Sequence, residues 1–255
     1  TAPVTWTMVS NYQSSQYYHV HAEQRQTGPQ VNNFIGGMQD NSTYLRVDGD
    51  NNHERAGSGD GGAAAIAKFT DFNDYTLYVT SQSGSISRLT PSSATDIEPN
   101  GLTANSDGGN GEFITYFAMD NDNTEDLYYV NFNRIFRTKA GSAVTPSTWT
   151  ELTGIATKVN PGNPSGQDIG IRAIELSRGP YLSSHVMYLG TTEGRIFRLN
   201  DPRNAATSAI PVDITPPVIN SYITNTTTTP SPTVNVADIA VNPNNDDEVM
   251  VVYSN

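Results

Sequence analysis

The chain predicts an all-β protein: a β-propeller of four-stranded antiparallel blades, with about four blades present and a partial fifth, and so a fragment of a larger propeller. Two observations carry this. A unit of apolar strand, polar turn, Tyr-rich strand and Ile-x-Arg strand is written three times and begun a fourth. The copies read IAKFTDFNDYTLYVTSQSGSISRLT from Ile66, FAMDNDNTEDLYYVNFNRIFRT from Phe117 and IELSRGPYLSSHVMYLGTTEGRIFRL from Ile174, and IAVNPNNDDEVMVVYSN opens at Ile239. A period of roughly 50 to 60 residues built from short β-type runs marks propeller blades, not a solenoid. Thr, Tyr, Val, Asn, Gly and Pro crowd the 255 residues without a sustained 3.6-residue apolar pattern, so long helices are not expected.

Each element follows in order. WTMVS at Trp6 reads as an outer strand. The first blade (17–57) runs from YYHVHAE at Tyr17 through NNFIGGMQDN to STYLRVD, with HERAG around Arg55 outermost. The second (58–99) uses AAAIAKF, TLYVTSQ and SISRLT, and a Gly/Asn/Asp-rich stretch from Asn100 to Gly111 follows it. FITYFAM, DLYYVNF, RIFRTK and TWTELT make the third (112–152), and IRAIELS, VMYLGTT, RIFRLN and PVDIT the fourth (168–215). The fifth (233–255) holds only two strands, and two strands do not close a blade. All belong to a single domain over 1–255. Ser83-Gly84 and Glu193-Gly194 supply positive φ where antiparallel strands reverse, and Pro211, Pro216, Pro217 and the NTTTTPSPT tract at Asn225 mark loop or edge backbone.

Composition narrows the partners. Fourteen basic against 26 acidic residues give a net charge of −12, with no basic cluster interleaved with aromatics, so nucleic acid is not an expected partner. No apolar run reaches the length of a membrane span, and the start at TAPVTW, without Met, reads as a processed or excised end. Cysteine is absent, which removes disulfides, thiolate metal sites and a Cys nucleophile. Low Lys with abundant Asn, Thr, Ser, Tyr and Gly is the texture of a secreted or cell-surface protein.

GGMQDNST at Gly36, SGDGGAAAIA at Ser58 and the strand pairs ending YLGTTEGRIFRL and YVTSQSGSISRL resemble the sortilin-like, or BNR/Asp-box, propellers. In style they are similar to the large exported surface proteins of Bacteroidetes-type bacteria that carry a type IX secretion signal. The resemblance spans about Trp6 to Asn255. It implies an Asp box on outer turns, S-x-D-x-G-x-T-W, whose Trp packs between neighbouring strands. At Gly141 the chain has GSAVTPSTWTEL: Trp149 is kept, and the Asp and Gly of the box are gone.

Several residue groups are candidates for chemistry. Asp40 in GGMQDN and Asp60 in GSGDGG, with Gln39 and Asn41, form the main ligand-binding candidate, because glycines beside a carboxylate let the chain turn and leave the side chain open. Two such carboxylates across a groove would serve as acid and base on a glycosidic bond. The favoured alternative is a scaffold role in which the Asp accepts backbone N–H groups, and the resemblance implies the same. Asp48, Asp50 and Asn52 alternate as the first ligands of a Ca²⁺ loop, but His53 replaces the required glycine and Gly59 the final glutamate, which favours a polar hairpin turn. Asp120, Asp122 and Asp126 read as a solvated turn. His19, His21 and Glu23 share one face of an inner strand, where hydrogen-bonded histidine is commoner than a metal ligand. Arg88, Arg137 and Arg198 recur once per blade, either as a ring for anionic sugars or, more in keeping with repetition, as a pairing with the neighbouring strand's acids or carbonyls.

The expected function is a non-enzymatic extracellular or cell-surface module that binds protein or glycan, with no required cofactor beyond an optional Ca²⁺. The alternatives are a polysaccharide-acting hydrolase using Asp40 and Asp60, and an architectural spacer in a long adhesin or filament. The rest of the same polypeptide or a complementary chain is expected to close the propeller.

Overall fold

Alternating apolar residues in every repeat give each sheet two faces to bury, and stacking sheets side by side buries both at once. The computed structural model describes residues 16–23, 31–102, 104, 108–223 and 234–254. The expected strand at Trp6 and the tract at Asn225 lie outside them. Among the described residues no helix is long and apolar enough to cross a membrane.

The molecule is a β-propeller of four antiparallel four-stranded blades followed by a two-stranded sheet. Blade 1 pairs β1 (Tyr17–Ala22), β2 (Phe34–Met38), β3 (Ser42–Arg46) and β4 (His53–Arg55) in that order. Blade 2 pairs β5 (Ala64–Asp71), β6 (Asp74–Thr80), β7 (Ile86–Thr90) and β8 (Ser93–Asp96). Its outer strand Ser93–Asp96 is one that the sequence analysis did not single out. Blade 3 holds β9 (Phe117–Met119), β10 (Leu127–Asn131), β11 (Arg134–Thr138) and β12 (Thr150–Glu151). Blade 4 holds β13 (Ile171–Leu176), β14 (Val186–Thr191), β15 (Ile196–Asn200) and β16 (Val212–Asp213), and β17 (Asn235–Asn242) pairs β18 (Asn245–Ser254). Two seven-residue helices, α1 (Thr153–Val159) and α2 (Pro217–Ile223), follow the outer strands of blades 3 and 4.

The core lies between blades. Tyr128 and Val130 of β10 turn toward Ile171, Met187 and Leu189 of blade 4, while Leu127 and Tyr129 turn toward Tyr78, Ile86 and Ile97 of blade 2. Period-two alternation thus serves two seams from one strand. Ile35 and Leu45 meet Ala64, Ile66 and Leu77 at the first seam, and Tyr188 and Ile196 meet Val236 and Ile239 at the last.

Two turn expectations hold. Ser83 and Gly84 adopt φ of 63° and 94° and Gly194 adopts 75°. The glycine pairs have a different use, because they let blade 1 touch the segment leading into blade 2. A Cβ on Gly37 would lie 2.0 Å from the carbonyl oxygen of Gly62.

The repeated arginines are inter-blade latches. Arg88 donates through Nη1 to the carbonyl of Ser142 in blade 3, and Arg137 donates to the carbonyls of Pro202 (2.7 Å) and Ala205 (3.0 Å) in blade 4. Arg198 pairs with Asp247 at 2.7 Å. Each stands cross-strand from a buried tyrosine, Tyr78, Tyr128 or Tyr188, and Tyr188 reaches forward to the carbonyl of Asp246 at 2.7 Å. Guanidiniums facing acids and carbonyls of the next blade are the structural pairing, not a sugar-reading ring.

Candidate functional site

The corner containing Asp40 and Asp60 is built by two turns and the segment between them. Asp40 sits in the β2–β3 turn with φ of 57°, Gln82 sits in the β6–β7 turn, and Asp60 lies in the connection from blade 1 to blade 2. Asp60 Oδ1 accepts the Asp40 amide at 2.6 Å, and the Asp60 amide donates to Gln82 Oε1 at 2.9 Å. One carboxylate and one side-chain amide therefore splice adjacent turns. Gln39 and Asn41 complete the turn, Asn41 donating from Nδ2 to the Gln39 carbonyl at 2.9 Å. Asp40, Asn41, Tyr44, Arg55, Asp60 and Gln82 line a cleft of about 500 Å³. The Tyr18 hydroxyl is held above its ordinary pKa by burial and by the charges of Asp60 and Asp40, so its side chain belongs to the same field.

Asp48, Asp50 and Asn52 sit in the exposed β3–β4 turn and are used locally. Asp50 Oδ1 accepts the Asn52 amide at 2.9 Å, and Asp48 takes Asn32 Nδ2 at 3.3 Å through its carboxylate and offers its amide to Asn33 Oδ1 at 2.6 Å. This is Asx-turn chemistry. Among the described residues no group of three or more His, Asp or Glu side chains gathers as a metal cluster.

Asp120 and Asp126 correct the expectation of a solvated turn, since they are 3 % and 0 % exposed. Asp120 Oδ1 accepts the amides of Asp122 (2.8 Å) and Asn123 (3.1 Å), and Asp126 Oδ2 pairs with Arg203 Nη1 at 2.7 Å. Burial raises both carboxyls despite these donors. Blade 4 reaches this turn through Arg203 at Asp126 and through Arg178 at Asp122, long-range contacts that the local composition does not encode.

The inner strands carry a second polar group. His21 Nε2 lies 2.6 Å from Asn121 Oδ1, linking blade 1 to blade 3 past blade 2, so both face the axis. His21 Nδ1 accepts the Ile66 amide at 3.3 Å, and His19 Nδ1 faces the Ala64 amide at 3.5 Å. Because a backbone N–H only donates, Nδ1 is unprotonated and Nε2 carries the proton. Burial and the neighbouring His21 push His19 down to about 4, and burial lowers His21 against the opposing pull of Asn121. His19 is solvent-exposed by area although densely walled, so water screens part of this effect. Glu23 turns away from the row, accepting from Asn33 Nδ2 at 2.6 Å.

From blade 4, Arg178 donates through Nε to Asp122 Oδ2 at 3.0 Å, and the Gly179 amide joins it at 2.6 Å. Burial would raise Asp122, but Arg178 and that amide outweigh it and hold the carboxyl below its usual range. Glu175 is pushed up to about 7 by burial and by Asp238, with Arg178 opposing. Sequence reasoning missed Glu175, Arg178 and Asn121. One signal existed for Glu175: it pairs with Tyr188 as Ala118 pairs with Tyr128 and Ala240 with Met250, so a carboxylate stands where sister repeats place alanine.

No protein-family model matches the chain, and no curated protein sequence matches it. Solved structures do. The WD40 β-propeller domain of Doa1 is similar over 87% of this chain and 60% of its own, at 11% identity and a TM-score of 0.52. YCF48 from Cyanidioschyzon merolae is similar over 97% of this chain and 67% of its own, at 12% identity and a TM-score of 0.51. The chain thus spans about 60% of the length of the Doa1 domain. At this identity the likeness is one of fold, and the fold is the β-propeller.

Proposed function

We propose that this propeller is a non-enzymatic binding module of the sortilin-like, Asp-box type, displayed outside the cell or on its surface, where it engages protein or glycan. One observation carries the reading: Asp60 accepts the Asp40 amide, which joins two turns into one fixed polar corner beside the cleft. A general acid or base needs an available carboxylate with a proton to move, whereas a binding corner needs fixed donors and acceptors around a concavity. The cleft supplies the latter, with two carboxylates, two amides, a guanidinium and the phenol of Tyr44. The Trp149 indole supports the family reading. Its Nε1 donates to the Ile97 carbonyl at 2.7 Å and its ring lies 6.1 Å from that of Tyr129, the between-strand packing that the resemblance implies.

The test compares the parent chain with Asp40→Ala and Tyr44→Ala on a glycan array and on immobilised surface-protein fractions, beside a polysaccharide hydrolysis panel. Binding without turnover that both substitutions weaken supports the module. Turnover lost in Asp40→Asn and Asp60→Asn proteins that still fold would replace it with the hydrolase, and silence in every assay would leave the spacer.

A further inference from the structure

The four seams are not filled alike. Residues 139–149, the loop between β11 and β12, pack back onto blade 2: Val144 is buried in that seam and Trp149 bonds to Ile97. Residues 201–211, between β15 and β16, pack back onto blade 3, where Ala205 and Ala209 meet its core and the Gly154 amide donates to the Thr207 carbonyl at 2.9 Å. Each of these loops is eleven residues long. The corresponding connection in blade 2, between β7 and β8, is Pro91-Ser92 alone, so nothing of that kind packs back onto blade 1. The latch is missing there too. Ile35 pairs with Leu45 where Tyr78 pairs with Arg88 in the next blade, each pair on the face turned to the following blade, so both latch residues are replaced.

What remains is a trough. Three adjoining concavities of about 700, 520 and 500 Å³ all share Arg55 as a wall. One end is apolar, lined by Phe72, Tyr75, Leu89 and Pro91, with Phe72 50% exposed. The middle is lined by Ser58, Ser81, Ser85 and Ser87, and the far end is the corner of Asp40, Asp60 and Gln82. Arg55 is held in place through Nε, which donates to the Gly57 carbonyl at 3.1 Å and faces Ser42 Oγ at 3.3 Å. Glu54, Asp96, Asp40 and Asp60 place four carboxylates along the trough against this one guanidinium, in a chain of net charge −12.

We propose that the seam between blades 1 and 2 is a docking groove for an extended segment of a partner protein, carrying an apolar or aromatic anchor with a basic residue beside it. The proposal rests on the binding reading above and names its ligand class. The argument is internal mimicry: the neighbouring seams show what this space accepts, a loop presenting Val144 and Trp149 in one case and Ala205 and Ala209 in the other. The acidic bias of the walls selects the basic residue. An anchor in an apolar pocket with a charge at its rim is a common way for a short peptide to gain affinity.

The experiment selects displayed random short peptides on the full chain and measures the resynthesised winners by fluorescence anisotropy. Ala94→Trp and Ala56→Trp fill the trough, and Phe72→Ala removes the apolar wall without filling it. The expected result is enrichment of peptides combining an aromatic or large apolar residue with Lys or Arg, bound about tenfold or more weakly by each variant, with melting temperatures of the variants near that of the parent. Failure to enrich any peptide overturns the proposal, as does binding that is unchanged in a folded Ala94→Trp and in Phe72→Ala. A glycan-array signal that the Trp variants abolish, with no peptide bound, assigns the trough to carbohydrate instead. If the ligands found for the Asp40 and Tyr44 cleft still bind all three variants, the seam proposal fails and the binding-module reading stands.

Discussion

Glu175 stands near Asp238 and Arg178, cross-strand from Tyr188, and its carboxyl is pushed up to about 7 from 4.5. In the native state it therefore keeps its proton over a range where the unfolded chain has lost it. Stability from this group is complete below about 4.5 and is lost as pH rises through about 7, by up to about 3 kcal/mol. Glu175→Gln should flatten that segment of a stability-against-pH profile, measured by urea unfolding, and should leave the variant more stable than the parent above pH 7. His19 acts in the opposite sense. With its folded pKa near 4, its contribution is present above about 6.5 and falls away as pH drops toward 4. An NMR titration of the His19 ring should show its midpoint well below the ordinary imidazole value, and a midpoint near 6.5 would mean that water screens the site fully.

At the scale of elements, the latches carry the clearest consequence. Arg137 is buried and holds two carbonyls of the loop that covers blade 3, so Arg137→Ala should cost about 2–3 kcal/mol in chemical denaturation. Arg137→Lys should recover only part, since one ammonium lacks the planar fork. Gly37→Ala should also destabilise, by about 1–3 kcal/mol, because its methyl meets the Gly61–Gly62 backbone rather than a movable side chain. The arginines were visible in the sequence as a repeat, and repetition already favoured a structural pairing. Their partners were not visible, because each lies beyond its own repeat, in the blade that follows. Strands and turns are local and periodic, so they could be read directly. The burial of Asp120 and Asp126 could not, because the side chains that reach their turn, Arg203 at Asp126 and Arg178 at Asp122, come from the next blade. The Asp40–Asp60 bond joins residues that the sequence analysis had singled out as a pair, through the Asp40 backbone amide and the Asp60 carboxylate.

Across the whole molecule, stability is distributed seam by seam, and the seams differ. Blades 2, 3 and 4 each send an arginine forward, and blades 3 and 4 each send a long loop backward, so blades 2 and 3 are held by both devices on their forward seams. Blade 1 meets blade 2 through the glycine contact, the Asp40–Asp60–Gln82 splice and the cluster of Ile35, Leu45, Ala64 and Ile66, but its outer half faces the trough. Local opening follows the scarcity of buried contacts, and amide exchange reports it directly. The amides of β3 should therefore exchange faster than those of β7, β11 and β15, which occupy equivalent places under a latch or loop. Filling the trough with Ala94→Trp should slow β4 exchange while leaving β11 and β15 unchanged. Equal protection of β3 and its three counterparts in the parent chain would show that the latches add little, and that the shared inter-blade cores set stability uniformly around the propeller.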